Sequence, residues 1–79
     1  MSPTIYRQGP YRFYFNSREE NRMHVHVESP DGMAKFWLEP FVALADFRGL
    51  KQHELKEIQR LVEAHEKEFK DGWNRHFPD

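Results

Sequence analysis

The chain has 79 residues, with 12 basic and 13 acidic side chains and a formal net charge of −1. Hydrophobic residues make up 38% and charged ones 32%, a balance too apolar for a disordered chain and too polar for a membrane-embedded one. Cysteine is absent, which excludes disulfides, thiol catalysis and zinc sites built on thiolates.

The length predicts a single domain over residues 1–79 with a small core. Seven Phe, three Tyr and two Trp suit that core, because large rings bury much area per residue. A small domain without covalent staples fits a reducing compartment, and no apolar run has the length of a membrane span. A cytoplasmic protein is therefore expected. Basic and acidic residues are spread evenly, so composition does not argue for a nucleic-acid footprint.

Residues 4–7 are expected to form a short first strand, ended by Gly9-Pro10. Residues 11–16 alternate, with Tyr11, Phe13 and Phe15 on one face and Arg12, Tyr14 and Asn16 on the other. The polar run 16–22 connects to the next strand. Residues 23–28 set Met23, Val25 and Val27 against His24, His26 and Glu28. Ser29-Pro30-Asp31-Gly32 reads as a hairpin turn. Residues 34–39 set Ala34, Phe36 and Leu38 against Lys35, Trp37 and Glu39. Residues 41–50 read either as a further strand or as a loop carrying Phe41, Val42 and Leu44 into the core.

The period then changes. Over residues 51–77, Leu55, Ile58, Leu61, Val62, His65, Phe69, Trp73 and Phe77 fall on one helical stripe. Glu63–Lys67, Glu66–Lys70 and Asp71–Arg75 are spaced for exposed ion pairs. The expected fold is α+β: an antiparallel meander of three to five strands over about residues 4–46, packed on one face by a long C-terminal α-helix over about residues 51–77.

With one face covered, Arg12, Tyr14, Asn16, His24, His26, Glu28, Lys35, Trp37 and Glu39 are expected on an open one. An indole on such a face suggests a surface made for a partner or ligand, unless Lys35 and Glu39 shelter it. His24 and His26, two apart on a strand, share that face roughly 6.5–7 Å apart. They are candidate metal ligands if Glu28 or His53 supplies a third donor. They are equally candidate catalytic groups: one imidazole takes a proton, the other gives one, and Lys35 or Arg12 stabilises a phosphorane while Tyr14 or Trp37 stacks a base. The plainer reading makes both ordinary strand residues hydrogen-bonded to neighbours. His65, on the apolar stripe, reads as a boundary core residue rather than a ligand.

The opening Met1-Ser2-Pro3-Thr4-Ile5, the aromatic run 11–17, His24-Val25-His26-Val27-Glu28, Ala34-Lys35-Phe36-Trp37-Leu38, and His53-Glu54-Leu55 followed by Trp73 and Phe77 together resemble the DUF4160 family of small bacterial proteins, nearly end to end. The resemblance implies that His24, His26, Lys35 and Trp37 are signature positions, without giving them a role. It also implies genomic company. Members are often encoded beside a small DUF2442 protein, a pairing that looks like a toxin–antitoxin module. Met23 departs from the Pro usual in the family before the first signature His. Lys51-Gln52 replace a capping hydroxyl, so the helix start is expected to fray.

The expected function is a toxin–antitoxin type component that acts by protein–protein interaction, its sheet face or edge receiving a small DUF2442-like partner. Arg12, Tyr14, Trp37 and Glu28 are the expected binding residues. One alternative is a metal-independent ribonuclease toxin using His24, His26 and Lys35. Another is a metal-binding or regulatory module on His24 and His26. Whether the chain is an enzyme stays open, and no cofactor is expected. RNA as a partner is not favoured by the net charge, a membrane is not expected, and uncovered aromatics with free edge strands are compatible with a homodimer.

Overall fold

Local alternation becomes a five-stranded sheet in the computed structural model, which describes residues 4–16 and 21–78. The strands are β1 (Thr4–Gln8), β2 (Tyr11–Tyr14), β3 (His24–Ser29), β4 (Gly32–Trp37) and β5 (Ala43–Arg48). They lie side by side in chain order, each antiparallel to the next. Short connections dictate this meander, since neighbours joined by a few residues can only return alongside. Gly9 turns β1 into β2 with φ 58°, and Ser29 pairs Gly32 across the expected hairpin. Met1-Ser2-Pro3, the opening of the stretch that carries the resemblance, and part of the 16–22 connection lie outside the described residues.

The apolar sides meet as the alternation requires. Tyr11, Phe13, Phe15, Val25, Val27, Ala34, Phe36 and Leu38 are all buried in one cluster with Ile58, Val62, Phe69 and Trp73 of the helical layer. Burying a large apolar side chain stabilises by roughly 1.5–3 kcal/mol, so this single cluster dominates the fold.

The expected single helix is two: α1 (Gln52–Ala64) and α2 (Glu66–His76), joined at His65 with φ −112° and ψ 19°. The hydrogen bonds run on through the junction, from His65 N–H to Leu61 O at 3.1 Å and from Phe69 N–H to His65 O at 2.9 Å. The stripe continues onto the sheet beyond the junction: Phe69 meets Phe13 at 5.4 Å between centroids, and Trp73 meets Phe15 edge-on at 5.6 Å. A Cβ on Gly72 would touch the Phe15 ring at 3.4 Å, which shows how closely α2 passes over it. His65 packs on Tyr6 at 4.2 Å with its Nδ1 3.1 Å from Glu68 Oε1, the boundary role expected of it.

The helix start is capped rather than bare. Glu54 Oε1 accepts the Lys51 N–H at 3.0 Å, and the Glu54 side chain is buried. Lys51 has no acceptor to return, so this is half of a capping box. On the exposed side Lys70 meets Glu66 at 2.7 Å as expected, whereas Lys67 reaches Asp71 at 3.0 Å.

Residues 41–50 resolve into the edge strand β5. Its ladder pairs Phe36 with Leu44 but Lys35 with Asp46, so Ala45 is an extra residue, a bulge. Of the three side chains offered to the core, only Val42 is buried; Phe41 is 66% and Leu44 38% exposed. Helix α1 packs over β4, which leaves β5 outboard.

Candidate functional site

The face opposite the helices is a set of cross-strand rows. Residues paired across antiparallel strands point to the same side. One row runs Tyr14, His26, Lys35, Asp46 across β2 to β5. The next runs Arg12, Glu28, Met33, Arg48, and a third pairs His24 with Trp37 and Trp37 with Ala43. Between the first two rows lies a groove of about 430 Å³ lined by His26, Met33, Lys35, Asp46 and Arg48.

Cations cover the rings of this face. The Arg22 guanidinium sits 4.1 Å from the Trp37 ring centre, with Lys35 Nζ at 4.6 Å. Arg12 lies 4.5 Å over the Tyr14 ring while its Nη1 donates to Glu28 Oε1 at 2.8 Å. Such contacts contribute about 0.5–1 kcal/mol each at exposed sites and hold long cations in place. Tyr14 and His26 stack at 5.4 Å and 19° between planes. Burial pushes the Tyr14 phenol above its ordinary pKa, the Glu28 carboxylate adds to this, and the Arg12 charge opposes it.

His24 departs from the expected open face. It is only 2% exposed, closed in by Trp73 at 5.0 Å, His26 at 5.1 Å and Trp37 at 5.9 Å between centroids. The reason is the length of β2. The last β2–β3 pair is Tyr14 with His26, so no strand flanks His24 on that side, and the Trp73 indole of α2 reaches the ring around the sheet's end. Its Nδ1 lies 2.8 Å from the Arg22 carbonyl oxygen. A carbonyl only accepts, so Nδ1 carries the proton and the ring is held in that tautomer.

This arrangement bears on both chemical roles offered to the pair. The imidazoles meet edge to face at 81°, in contact with one another, which leaves no space for a phosphate between them. Among the described residues, no group of three or more His, Cys, Asp or Glu side chains is placed to hold a metal ion. Glu28 and His53 therefore do not complete a site with His24 and His26.

The profile of a family described as Domain of unknown function (DUF4160) matches residues 11–74, most of the chain. The chain belongs to the DUF4160 family. Neither the curated proteins nor the solved structures contain a match. The matched span carries the whole DUF4160 face just described, from Arg12 to Arg48, and also Trp73, the indole that closes over His24.

In this DUF4160 protein the structure gathers His26, Lys35, Trp37, Tyr14, Arg12 and Glu28 on one face, as the alternation predicts. Tyr14, however, is not open as expected: covered by Arg12 and stacked on His26, it is buried at 8% exposed. It adds Arg22, Met33, Asp46 and Arg48. Met33 and Arg48 follow from register, which a single strand does not carry. Arg22 lies before β3 and reaches Trp37 through its long side chain, with its Nε donating to Glu39 O at 2.9 Å. His53 is exposed in the first turn of α1. No helix among the described residues is long and apolar enough to cross a membrane.

Proposed function

We propose that this DUF4160 protein is a recognition component of a two-protein bacterial module of toxin–antitoxin type, acting in the cytoplasm by binding a small protein partner of the DUF2442 kind that the resemblance implies. The observation that carries the reading is the composition of the grooved sheet face. Trp37 and Met33 stand among Arg12, Arg22 and Arg48, with Tyr14 buried beneath Arg12 as a support. Aromatics, Met and Arg are the residue types enriched where proteins bind one another, and Trp, Tyr and Arg supply most binding hot spots. The outer surface of the helices, by contrast, offers Lys and Glu such as Lys67, Glu66 and Lys70, which interfaces disfavour. The cation-on-ring contacts support the reading further, because side chains already held in place lose less entropy on docking. The burial of His24 favours recognition over a ribonuclease: a proton-transfer group needs access to its substrate.

The test is co-expression with the product of the neighbouring gene. One product alone should arrest growth, the pair together should restore it, and the two should co-purify. Trp37→Ala and Arg22→Glu should each weaken the complex about tenfold or more. Absence of a complex would refute the reading. So would metal-free RNA cleavage by the purified protein that is lost in His24→Ala.

A further inference from the structure

A second surface lies at the edge of the sheet, and it is self-complementary. The hairpin fixes which backbone groups of β5 point outward. Ser29 and Gly32 flank a two-residue turn and so form a hydrogen-bonded pair, and alternation makes Val27 and Ala34 the next such pair. Ala34 therefore turns its backbone toward β3, while Met33 and Lys35 turn theirs toward Arg48 and Asp46 of β5. Phe47, opposite Ala34, is left with its N–H and C=O facing away from the sheet. Its N–H accordingly donates to the carboxylate of its own neighbour, Asp46 Oδ1, at 2.9 Å.

The side chains follow from the same register. Asp46 and Arg48 project on the face of the groove, paired with Lys35 and Met33. Arg48 is held there by a contact of 3.1 Å from Nη2 to Met33 Sδ. Phe47 and Leu44 project on the helix side, beyond the helical layer, 49% and 38% exposed. Acid, aromatic and base thus run symmetrically about Phe47.

We propose that β5 pairs antiparallel with β5 of a second copy of this chain about a two-fold axis at Phe47. The two Phe47 residues exchange their outward N–H and C=O groups. Asp46 of each chain, released from its own Phe47 N–H, then lies directly opposite Arg48 of the other, giving two equivalent ion pairs. The Phe47 rings meet on the helix side and cover each other. Both helical layers end on one side of a continuous ten-stranded sheet, and the two grooves meet on the other. A sum of positions that sets 46 against 48 is the only register placing opposite charges across from one another while using the outward Phe47 groups. Asp46 and Arg48 also line the groove, so the pairing borders the face proposed above; its tests act at the edge, and those of the protein partner at Trp37 and Arg22.

The chain lacks cysteine, so a single introduced thiol reports cleanly. A hydrogen-bonded cross-strand pair holds its Cα atoms about 5.5 Å apart, within the range that a disulfide spans. Phe47→Cys should therefore cross-link to a dimer under mild oxidation far faster than Glu63→Cys on the outer side of α1. In sedimentation equilibrium the native chain should dimerise. Asp46→Arg should weaken that association about tenfold or more, and adding Arg48→Asp should restore it. Circular dichroism checks that each variant is folded, and the cysteine variant reports independently should Asp46→Arg fail that check. A native chain that stays monomeric, a dimer indifferent to the charge exchange, or Phe47→Cys cross-linking no faster than Glu63→Cys would each overturn the proposal.

Discussion

Two side chains show how burial assigns roles residue by residue. His24 fills the space between two indoles, and its tautomer is set by the Arg22 carbonyl. Truncating it should leave a cavity beside Trp73, so His24→Ala should lose about 2 kcal/mol or more in urea unfolding. A purely catalytic imidazole would leave stability unchanged. Tyr11 ties sheet to helix: its O–H donates to Glu57 Oε1 at 2.7 Å. Burial first, then the hydrogen bond and charge of Glu57, push its phenol up to about 12. The folded state thus keeps a proton that the unfolded chain loses near pH 10. The resulting stabilisation is complete below about pH 10 and is lost as the pH rises toward about 12. Tyr11→Phe should cost about 1 kcal/mol at neutral pH. It should also flatten the fall of the urea midpoint between those two values.

At the scale of elements, the hairpin and the edge strand meet at Gly49. Its φ is 78°, and a Cβ there would collide with the Asp31 carbonyl oxygen. Gly9 has a similar φ of 58° but open space around it. Gly9→Ala should therefore cost only the backbone strain, about 1 kcal/mol, and Gly49→Ala clearly more, up to about 3 kcal/mol, in the same unfolding measurement. Strand faces were legible from residues alone because a period of two is local: Phe13, Val25 and Phe36 are buried where alternation puts them. The bulge at Ala45 was not, since it exists only in the register between β4 and β5. Nor was the closure of His24, which depends on Trp73, a residue far along the chain. The Glu54 cap had a visible signal, an acid three residues after Lys51, which caps the helix start without a hydroxyl. The helical stripe read correctly as a stripe. Its interruption at His65 lies in the backbone, with φ −112° and ψ 19°, which periodicity does not encode.

At the scale of the molecule, one side of the sheet is closed by helices and the other is a grooved face rich in Trp, Tyr, Met and Arg. The net charge of −1 says nothing of this division, because the face and the helices each carry both signs. The same strands thus bury one side in the core and line a groove with the other. Phe36 supports the core, and its neighbours Lys35 and Trp37 face outward. Arg22→Glu should therefore alter binding with little effect on unfolding, whereas Trp37→Ala, which uncovers the buried His24 ring, should also lower the urea midpoint. The most direct measurement is calorimetric titration of the purified protein with the product of its neighbouring gene, alongside Arg22→Glu and Trp37→Ala. The account predicts a saturable complex, weakened about tenfold or more by either substitution while both variants remain folded. Equal affinity for the native chain and both variants, or no binding at all, would contradict it.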